Sequence, residues 1–345
     1  MAPNLPLQQR MLAVFEAAFE PEPAPLAGHA PVPARLWDAA LRDLLRDFLA
    51  RPGKGVRAQL VEAGWRAAGR PAAALPAELP LVVELLHAGS LIVDDVQDGA
   101  ELRRGAPASH HLFGAPLAIN AGGWLYFFPF ALLRRLPVAP AVRLALHERT
   151  SLTLLQCHQG QALDLATRVT DVAPHEIGAV VDAVTRHKTA SLLRLAIALG
   201  AVAGGAPRRT VRALERFAER VGVALQMYDD LSGLIRPDLA HKADEDLAGA
   251  CPTWPWAWLA ERDGHDAYRA LTARLALAAA DPAARAALRD HLAERVADHG
   301  RASARATLDD ACASLTAALG SSPTLAALCA TARTLESAYV RPTPG

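Results

Sequence analysis

Aromatic residues and cysteines are scarce in this chain of 345 residues. Phe, Trp and Tyr together make up 5% of the sequence, whereas hydrophobic residues as a whole make up 52%. The core must therefore consist mainly of Ala, Leu and Val, and the high helix propensity of Ala and Leu favours helices. The four cysteines are far apart and form no CxxC pair, which argues against a zinc site or a disulfide framework and favours a reducing, cytoplasmic location.

The chain also has no excess of either charge and no long uninterrupted apolar run. Lys and Arg number 36, as do Asp and Glu, so the net charge gives no reason to expect a nucleic-acid partner. The N-terminus lacks the basic and apolar regions of a signal peptide. No segment of about 18 residues is apolar throughout, so no transmembrane segment is predicted. The apolar stretch from Gly122 to Leu133 is expected to be a buried helix.

Helical patterns run through almost the whole chain, and β-branched residues rarely alternate as they would in a strand. We predict that residues 1–33 form a short amphipathic helix, residues 7–19, and a proline-rich connection, residues 21–33. Residues 34–345 are predicted to form one large all-α domain, a helical bundle with a central cavity. The helices predicted there are 34–50, 54–69, 77–98, 114–135, 139–168, 174–203, 207–235, 243–262, 265–279, 281–299, 301–319 and 322–339.

One apolar helical stretch ends in three aspartates, Asp94, Asp95 and Asp98. Asp94 and Asp98 are four residues apart, so on a helix they lie on one face, one turn apart, where like charges repel. A cation would remove this repulsion. Carboxylate oxygens suit Mg²⁺, which commonly shares its coordination sphere with substrate phosphates. The alternative is a helix end with solvated acidic residues.

A second acidic pair, Asp229 and Asp230, ends another apolar helical run. Two aspartate clusters on facing helices of a bundle would form a site for several divalent ions, because bundles build metal sites from side chains on facing helices. A helix C-terminal turn with solvated acidic residues is again the alternative.

Basic residues near the acidic clusters could bind an anion that such ions hold. Arg103 follows the first cluster and Lys242 follows the second. Lys188 lies within a predicted apolar helix, where a lysine is costly to bury unless it is paired. A surface lysine with its charged end in solvent is the alternative for Lys188.

A separate group of basic residues lies elsewhere in the chain. Lys54 and Arg57 are three residues apart at the predicted start of a helix, where free N–H groups and the helix dipole favour phosphate. His87 precedes the first aspartates by about two turns, and Arg104 should point away from Arg103. Two anion sites imply two phosphorylated substrates, and cations around a diphosphate could let a carbon–oxygen bond ionise in a dry, apolar site. Ordinary surface cations and a core histidine are the alternative.

Together these residues resemble the trans-type polyprenyl diphosphate synthases over residues 52–255. The most specific match is the stretch from His87 to Asp98, followed by Arg103-Arg104-Gly105-Ala106-Pro107 and His110. Further segments resemble other motifs of the family: Gly53-Lys54-Gly55-Val56-Arg57, Gly160-Gln161-Ala162-Leu163-Asp164-Leu165, Lys188-Thr189 and Gln226-Met227-Tyr228-Asp229-Asp230.

The resemblance implies the all-α isoprenoid synthase fold, usually as a homodimer, and Mg²⁺-dependent condensation of isopentenyl diphosphate with an allylic prenyl diphosphate. It implies about three Mg²⁺ ions per active site, with the ligands Asp94, Asp98 and Asp229 and the supporting residues Asp95 and Asp230. The residues that resemble the allylic diphosphate site are Arg103, Lys188 and Lys242. Those that resemble the isopentenyl diphosphate site are Lys54, Arg57, His87 and Arg104. The polar residues expected near the reacting carbons or the diphosphate are Gln161, Thr189 and Gln226.

Five positions depart from the pattern of the family. Gly233 stands where the second aspartate motif usually ends in a third aspartate, and Cys251 stands where a lysine is usual. Both changes are expected to weaken metal and allylic diphosphate binding. The other departures are Ala58 for proline, Gly123 for aspartate and Leu225 for phenylalanine.

Product length is predicted from residues that precede the first aspartates on the same helix. Ser90 and Gly89 are four and five residues before Asp94, where members of the family with short products often carry bulky side chains. Because Gly89 is small, a product of about C20 is predicted, and Gly89→Phe should shorten it. Trp124, Tyr126 and Phe127 on the next helix could form a deeper floor of the product tunnel.

Two other functions are compatible with the sequence. A terpene synthase on the same fold would ionise a single prenyl diphosphate, and the altered second motif favours it. Aromatic residues could stabilise the cation or simply fill the core, and they are Trp124, Tyr126, Phe127, Phe128, Trp254 and Trp256. A non-catalytic partner subunit of a synthase is the third reading, against which the complete first aspartate cluster argues.

Overall fold

The computed structural model describes residues 5–19 and 32–340, and within these ranges the chain is almost entirely helical. The predicted all-α fold is therefore confirmed. The predicted N-terminal helix is present as Leu7–Ala17. The predicted proline-rich connection lies almost wholly outside the described residues, and the division at residue 33 stays a prediction.

The described chain forms sixteen α-helices and one small hairpin. The first eight helices are α1 (Leu7–Ala17), α2 (Ala34–Trp37), α3 (Asp43–Ala50), α4 (Val56–Ala67), α5 (Leu79–Asp98), α6 (Ser109–Phe113), α7 (Ala115–Arg135) and α8 (Pro140–Ala166). The others are α9 (Ile177–Val184), α10 (Ser191–Ala203), α11 (Arg208–Ile235), α12 (Ala240–Ala248), α13 (Trp254–Thr272), α14 (Leu275–Ala280), α15 (Pro282–Leu319) and α16 (Pro323–Val340). The antiparallel strands are β1 (Leu102–Arg103) and β2 (Ala106–Pro107).

Shorter helical segments of other types connect some of these elements. The π-helical segment Asp38–Arg42 joins α2 to α3, and the π-helical segment Thr185–Ala190 joins α9 to α10. The 3₁₀ segments are Ala72–Ala74, Val169–Asp171 and Pro237–Leu239.

One compact unit contains the described residues up to Ser151 together with residues 196–206. Its central helix is α5, which packs against α4 and α7. The helix carries Pro80 in its first turn, where a missing N–H group costs little, and it ends at Gly99 in the left-handed conformation, with φ 66°. Residues 79–86 are all buried. The C-terminal end of α5, by contrast, has exposed side chains, and the first three aspartates lie there.

The other compact unit contains residues 152–195 and the described residues from Pro207 onwards. Its two longest helices pack against each other: α11 has 28 residues and α15 has 38. α15 begins after Asp281, whose side chain accepts a 2.8 Å hydrogen bond from the Ala283 N–H group and so caps the helix.

The helix break predicted near residue 300 is wrong, because α15 continues through it. Gly300 is helical, and a Cβ atom there would lie 2.6 Å from the indole ring of Trp258. The glycine therefore allows α13 to pack closely against α15, and its position in the sequence does not mark a helix end.

Other boundaries differ from the prediction for local reasons. The predicted helix 243–262 is divided between α12 and α13, and Pro255 stands in the first turn of α13. The predicted break before residue 265 is a kink within α13 at Gly264, which has φ 80°. The hairpin and the five-residue helix α6 were not predicted, since such short elements show no periodic pattern.

Helix α7 is the one described helix that is long and apolar enough to cross a membrane. It has 21 residues and a mean hydropathy of 1.3 in its most apolar window, and 44% of that window is buried. Core helices meet the same criteria, and α7 packs along α5 within its unit. The predicted helix over Gly122–Leu133 is thus part of a longer element.

Candidate active site

The first aspartate group, Asp94, Asp95 and Asp98, lies in the last turn and a half of α5. Asp94 is half-buried and Asp98 is exposed, whereas Asp95 is fully buried. Carboxylates at the C-terminal end of a helix face the negative end of its dipole, which is unfavourable unless cations are near. Their position therefore supports a cation-binding role for the group.

Asp95 faces an arginine. Arg103 Nε donates a 2.7 Å hydrogen bond to Asp95 Oδ1, and the two side chains form an ion pair. Burial raises the pKa of the Asp95 carboxyl, and the Arg103 guanidinium opposes this shift. The other oxygen, Asp95 Oδ2, is buried without a hydrogen-bond partner. The geometry places Asp95 as the residue that orients Arg103.

Arg103 is the last residue of β1, and Arg104 is the first residue of the turn between β1 and β2. Arg104 and Gly105 both have positive φ angles, 55° and 78°, as in the tight turns that suit two-residue hairpins. The Arg104 guanidinium lies 5.4 Å from the centre of the Phe48 ring and against Gly53. The predicted divergence of the two arginine side chains is confirmed.

His87 lies among the arginines of the predicted basic group. Burial lowers the pKa of His87 well below its usual value, and the charges of Arg57, Arg104 and Arg103 lower it further. The imidazole is therefore neutral at physiological pH. The structure brings His87, Arg57 and Arg104 together, as the sequence analysis expected.

The start of α4 differs from the prediction. α4 begins at Val56 after Gly55, which has φ 61°, so exposed Lys54 precedes the helix and does not share a helical face with Arg57. The Ala58 N–H group donates a 2.8 Å hydrogen bond to the buried carboxylate of Glu84. One of the N–H groups predicted to attract phosphate is thus occupied by a carboxylate of the protein itself.

In the second unit, α8 approaches the π-helical segment Thr185–Ala190 closely. A Cβ atom at Gly160 would lie 2.6 Å from the Lys188 backbone nitrogen, so only glycine fits there. This contact places Lys188 Nζ 2.7 Å from Asp164 Oδ2. Half-buried Lys188 is thus paired, while its predicted anion-binding role stays a prediction. Gln161 lies one turn before Asp164 on α8. π-Helical segments frequently occur at functional sites.

A chain of hydrogen bonds links Thr189 to Asp230. Thr189 Oγ1 donates to Gln226 Oε1 at 2.8 Å, and Gln226 Nε2 donates to Asp230 Oδ1 at 2.7 Å. The Trp254 N–H group donates to Asp230 Oδ2 at 2.9 Å. Both oxygens of Asp230 are thus held by neutral donors, which fixes the side chain without neutralising its charge.

The carboxyls around Asp230 form a concentrated acidic region. Burial, together with the charges of Asp229 and Asp164, raises the pKa of Asp230 to about 7, although its two hydrogen bonds lower it. Burial first and then Asp230, Asp229 and Asp164 raise the pKa of Asp246 well above its usual value. Asp229 is paired with Lys242 at 2.7 Å. Sequence reasoning assigned no role to Asp164 and missed Asp246.

Both residues left signals in the sequence. Asp164 lies in a segment that resembles a motif of the family, one turn after Gln161. Asp246 closes the acidic run Asp244-Glu245-Asp246 shortly after Lys242. Its approach to Asp230 depends on how α12 packs, and spacing along the chain cannot predict that.

The acidic residues fit Mg²⁺. Their donors are all carboxylate oxygens, which suit a hard ion, and the raised pKa values of Asp230 and Asp246 mark a crowded acidic region that a cation would stabilise. Within the described ranges no three His, Cys, Asp or Glu side chains form a closed metal cage. Mg²⁺ is usually held by one or two carboxylates plus substrate phosphates, so an open arrangement agrees with it.

Gly233 stands where the family usually has a third aspartate, and the structure gives a reason. A Cβ atom at Gly233 would lie 3.0 Å from the Ala243 nitrogen and 3.2 Å from Ala243 Cβ on α12. A side chain at this position would require α12 to shift by a few tenths of an ångström. The same helix carries Asp246, so its close packing disfavours a carboxylate at residue 233 and brings another into the acidic region.

The predicted product-length residues are placed differently from the expectation. A Cβ atom at Gly89 would lie 2.8 Å from the Gly122 carbonyl oxygen on α7, so the assignment of Gly89 to an open tunnel wall is wrong. The Ser90 hydroxyl donates to the His87 carbonyl oxygen at 2.9 Å. Phe127 is 76% exposed and so forms no interior floor.

Trp124 packs in an aromatic cluster of α1 and α7. Its ring lies 5.8 Å from Phe15, 5.7 Å from Phe19 and 4.6 Å from Phe128, measured between ring centres. This cluster holds the N-terminal helix in its unit. A role of Trp124 in product length stays a prediction.

Comparison with known proteins agrees with this site. Residues 38–294 match the model of the polyprenyl synthetase family. The chain is 38% identical over 185 residues to geranylgeranyl pyrophosphate synthase 2 of Zymoseptoria tritici. This alignment covers 54% of this chain and 53% of that protein. It is 34% identical over 201 residues to a farnesyl diphosphate synthase of Geobacillus stearothermophilus, and this alignment covers 56% of this chain and 66% of that protein. The alignments thus span between about half and two-thirds of these curated relatives.

A solved structure shares the whole fold. The geranylgeranyl pyrophosphate synthase from Corynebacterium glutamicum, complexed with isoprenyl diphosphate and magnesium, superposes with a TM-score of 0.79. The superposition covers 95% of this chain and 96% of that one, at 20% sequence identity. The family model covers well over half of the sequence, and its residues include both acidic regions. The chain therefore belongs to the polyprenyl synthetase family.

Proposed function

We propose that this protein is an Mg²⁺-dependent prenyltransferase that condenses isopentenyl diphosphate with an allylic prenyl diphosphate and makes a trans-prenyl diphosphate of about C20. The observation that carries this proposal is the grouping of His87, Arg57 and Arg104 in the same unit as the first aspartate group. A basic anion site beside a carboxylate site suits two diphosphate substrates. The names of the relatives, geranylgeranyl and farnesyl synthases, support the product class.

The residues divide into two sets by the substrate that they bind. Lys54, Arg57, His87 and Arg104 bind the diphosphate of isopentenyl diphosphate. Arg103, Lys188 and Lys242 bind the allylic diphosphate, and Asp94, Asp98 and Asp229 are ligands for the three proposed Mg²⁺ ions. When bound, Mg²⁺ would supply positive charge that neutralises the diphosphate leaving group. In the proposed condensation the allylic carbon–oxygen bond breaks, the double bond of isopentenyl diphosphate attacks C1, and a proton leaves to the released diphosphate or a nearby base.

The protein contributes orientation as well as charge. Thr189 and Gln226 are fixed by the hydrogen bonds that lead to Asp230, so their oxygens are held in place before substrate arrives. Neutral His87 can donate to a diphosphate oxygen without adding a further charge to the arginines around it. The preorganised oxygens of Thr189 and Gln226 can stabilise the positive charge that develops on the allylic carbon during ionisation, whereas His87 serves the isopentenyl diphosphate.

A terpene synthase is less favoured, because the aromatic residues of this chain that could stabilise a carbocation pack against other side chains. Trp254 Nε1 donates to Thr185 Oγ1 at 3.1 Å, and Trp256 packs edge-on against Tyr268. Trp124 lies in the cluster with α1. These rings fill the core of their units, which is the alternative that the sequence left open. The retained isopentenyl diphosphate residues favour elongation over both this reading and a non-catalytic subunit.

We also propose a cytoplasmic homodimer. The four cysteines are free thiols, which agrees with a reducing compartment. Large apolar side chains are exposed within one unit: Ile119 by 52%, Phe127 by 76% and Leu144 by 60%. A second copy of the chain that covers them would remove this apolar surface from water.

The decisive assay incubates purified protein with Mg²⁺, radiolabelled isopentenyl diphosphate and allylic diphosphates of increasing length. A longer diphosphate that is absent with EDTA, and absent with Asp94→Asn/Asp98→Asn, supports the proposal. Hydrocarbon or alcohol from the allylic substrate alone would identify a terpene synthase. Absence of turnover with every allylic substrate would overturn the proposed activity. Sedimentation at several protein concentrations tests the homodimer.

A further inference from the structure

Arg51 is a buried arginine with three hydrogen-bonded partners in three different elements. It directly follows α3 and is 6% exposed. Its Nη1 atom donates to the Arg103 carbonyl oxygen at 3.1 Å, and Nη2 donates to the Pro107 carbonyl oxygen at 2.9 Å. Nη2 also pairs with Asp47 Oδ2 at 2.6 Å. One guanidinium thus connects α3 with both strands of the hairpin.

The hairpin requires such support from outside. Each strand has two residues, and an isolated two-stranded hairpin is marginally stable at best. Arg104 in its turn has a positive φ angle, which is unfavourable for a residue other than glycine. Hydrogen bonds from a charged donor are stronger than neutral ones, so the two bonds from Arg51 can hold this backbone in place.

Phe48, near the end of α3, also supports the side chain of the turn residue Arg104. The Phe48 ring lies beneath two guanidinium groups, with Arg51 5.6 Å and Arg104 5.4 Å from its centre. Arg51 therefore holds the backbone on either side of Arg104, while Phe48 supports the Arg104 side chain. Arg103, whose carbonyl oxygen accepts from Arg51, is fixed at its other end by Asp95.

We propose that Arg51 is a positioning residue that orients Arg103 and Arg104, and so prepares both diphosphate sites at once. The inference rests on the proposed function. Arg51 touches the hairpin backbone and not the substrates, and it acts by fixing the directions in which the two neighbouring guanidinium groups leave the turn. Its loss would leave both charges in place and free both to move.

The test compares Arg51→Ala with wild type in steady-state kinetics for each substrate. We expect the KM for isopentenyl diphosphate and the KM for the allylic diphosphate each to rise about tenfold, since charged hydrogen bonds are lost. The value of kcat and the Mg²⁺ concentration for half-maximal rate should change less than about threefold. A purely structural role would lower the active fraction, and hence kcat, at unchanged KM.

Two variants serve as matched controls. Arg66→Ala removes an exposed arginine that pairs with Glu62 on the surface of α4, and it should leave both KM values unchanged. Asp47→Asn removes the ion pair of Arg51 but leaves its two carbonyl partners, so it should have a small effect. If Arg51→Ala does not fold, Arg51→Lys replaces it, because one ammonium can reach one of the two carbonyl oxygens.

Binding of inorganic pyrophosphate, measured by calorimetry, separates this inference from the proposed activity. Weaker pyrophosphate binding by folded Arg51→Ala supports the positioning role even if the wild type elongates no prenyl chain. A folded Arg51 variant with wild-type KM values and wild-type pyrophosphate affinity would overturn the inference and leave the proposed function intact.

Discussion

Asp95 and Arg103 form an ion pair in which the anion is fully buried and the cation is half-buried, with 2.7 Å between Asp95 Oδ1 and Arg103 Nε. The middle carboxylate of the first aspartate group thus contacts a guanidinium, whereas its neighbours Asp94 and Asp98 are the proposed metal ligands. Asp95 holds in place Arg103, which is a proposed diphosphate-binding residue. This relationship separates the functions of three aspartates that are nearly adjacent in the sequence.

Substitution of Asp95 should therefore alter substrate binding more than metal binding. We expect Asp95→Asn to raise the KM for the allylic diphosphate about tenfold, because a charge-assisted bond to Arg103 is lost. Asp98→Asn should instead raise the Mg²⁺ concentration needed for half-maximal rate. Initial rates over a matrix of Mg²⁺ and substrate concentrations distinguish the two. An equal Mg²⁺ effect in both variants would identify Asp95 as a ligand.

His87 should make the protein less stable as the pH falls. Its pKa is below the ordinary value in the folded state, so the unfolded chain binds a proton below pH 6.5 that the folded chain does not bind. The unfolding free energy should therefore fall between pH 7.5 and pH 5.5. His87→Gln should lose less stability over that interval in urea titrations. Identical pH slopes would contradict the neutral imidazole.

A methyl group at Gly89 should destabilise the protein. Because its Cβ atom would lie 2.8 Å from the Gly122 carbonyl oxygen and 2.9 Å from Leu125 Cβ, Gly89→Ala should cost about 1–3 kcal/mol of unfolding free energy. Gly123→Ala on the facing helix is the matched control. No atom lies within 4 Å of its added methyl group, so it should be neutral or slightly stabilising. Equal thermal denaturation midpoints for the two variants would refute this packing.

Asp246 should contribute to metal binding in the second unit. We expect Asp246→Asn to raise the Mg²⁺ requirement about fivefold to tenfold, since it removes a carboxyl of the acidic region around Asp230 that could ionise when a cation binds. Asp244→Asn is the control, because Asp244 lies on the same helix and pairs with Arg289 at 2.8 Å. If both variants require the same Mg²⁺ concentration as wild type, Asp246 has no part in metal binding.

The fold and the motif residues were predictable because their signals are local. Asp94 and Asp98 lie on one helical face by spacing alone, and apolar periodicity with proline and glycine punctuation predicted most helices. The cost of burying an unpaired lysine marked Lys188 for attention, and the structure pairs it with Asp164. These inferences require only distances along the chain and the geometry of a helix.

The rest depended on which helices meet. Gly300 looks like a helix end until the Trp258 ring is seen against it, and Gly89 looks like a tunnel wall until α7 is in place. Glu84 has no sequence signal for capping α4, since it lies 26 residues from Ala58. In the sequence alone, Arg51 resembles a surface arginine before a proline. Its carbonyl partners lie in the hairpin, more than 50 residues along the chain, and cannot be predicted from spacing.

In the π-helical segment Thr185–Ala190, the number of residues determines the direction in which Lys188 and Thr189 point. A π-turn accommodates an extra residue, so the helical faces of α9 and α10 are offset across it. Removal of one residue would restore regular winding and rotate everything on one side by about 100° relative to the other. Lys188 would then no longer face Asp164. The extra residue of this segment thus sets how α10 is rotated about its axis relative to α9, so a deletion here would move side chains well beyond the deleted position.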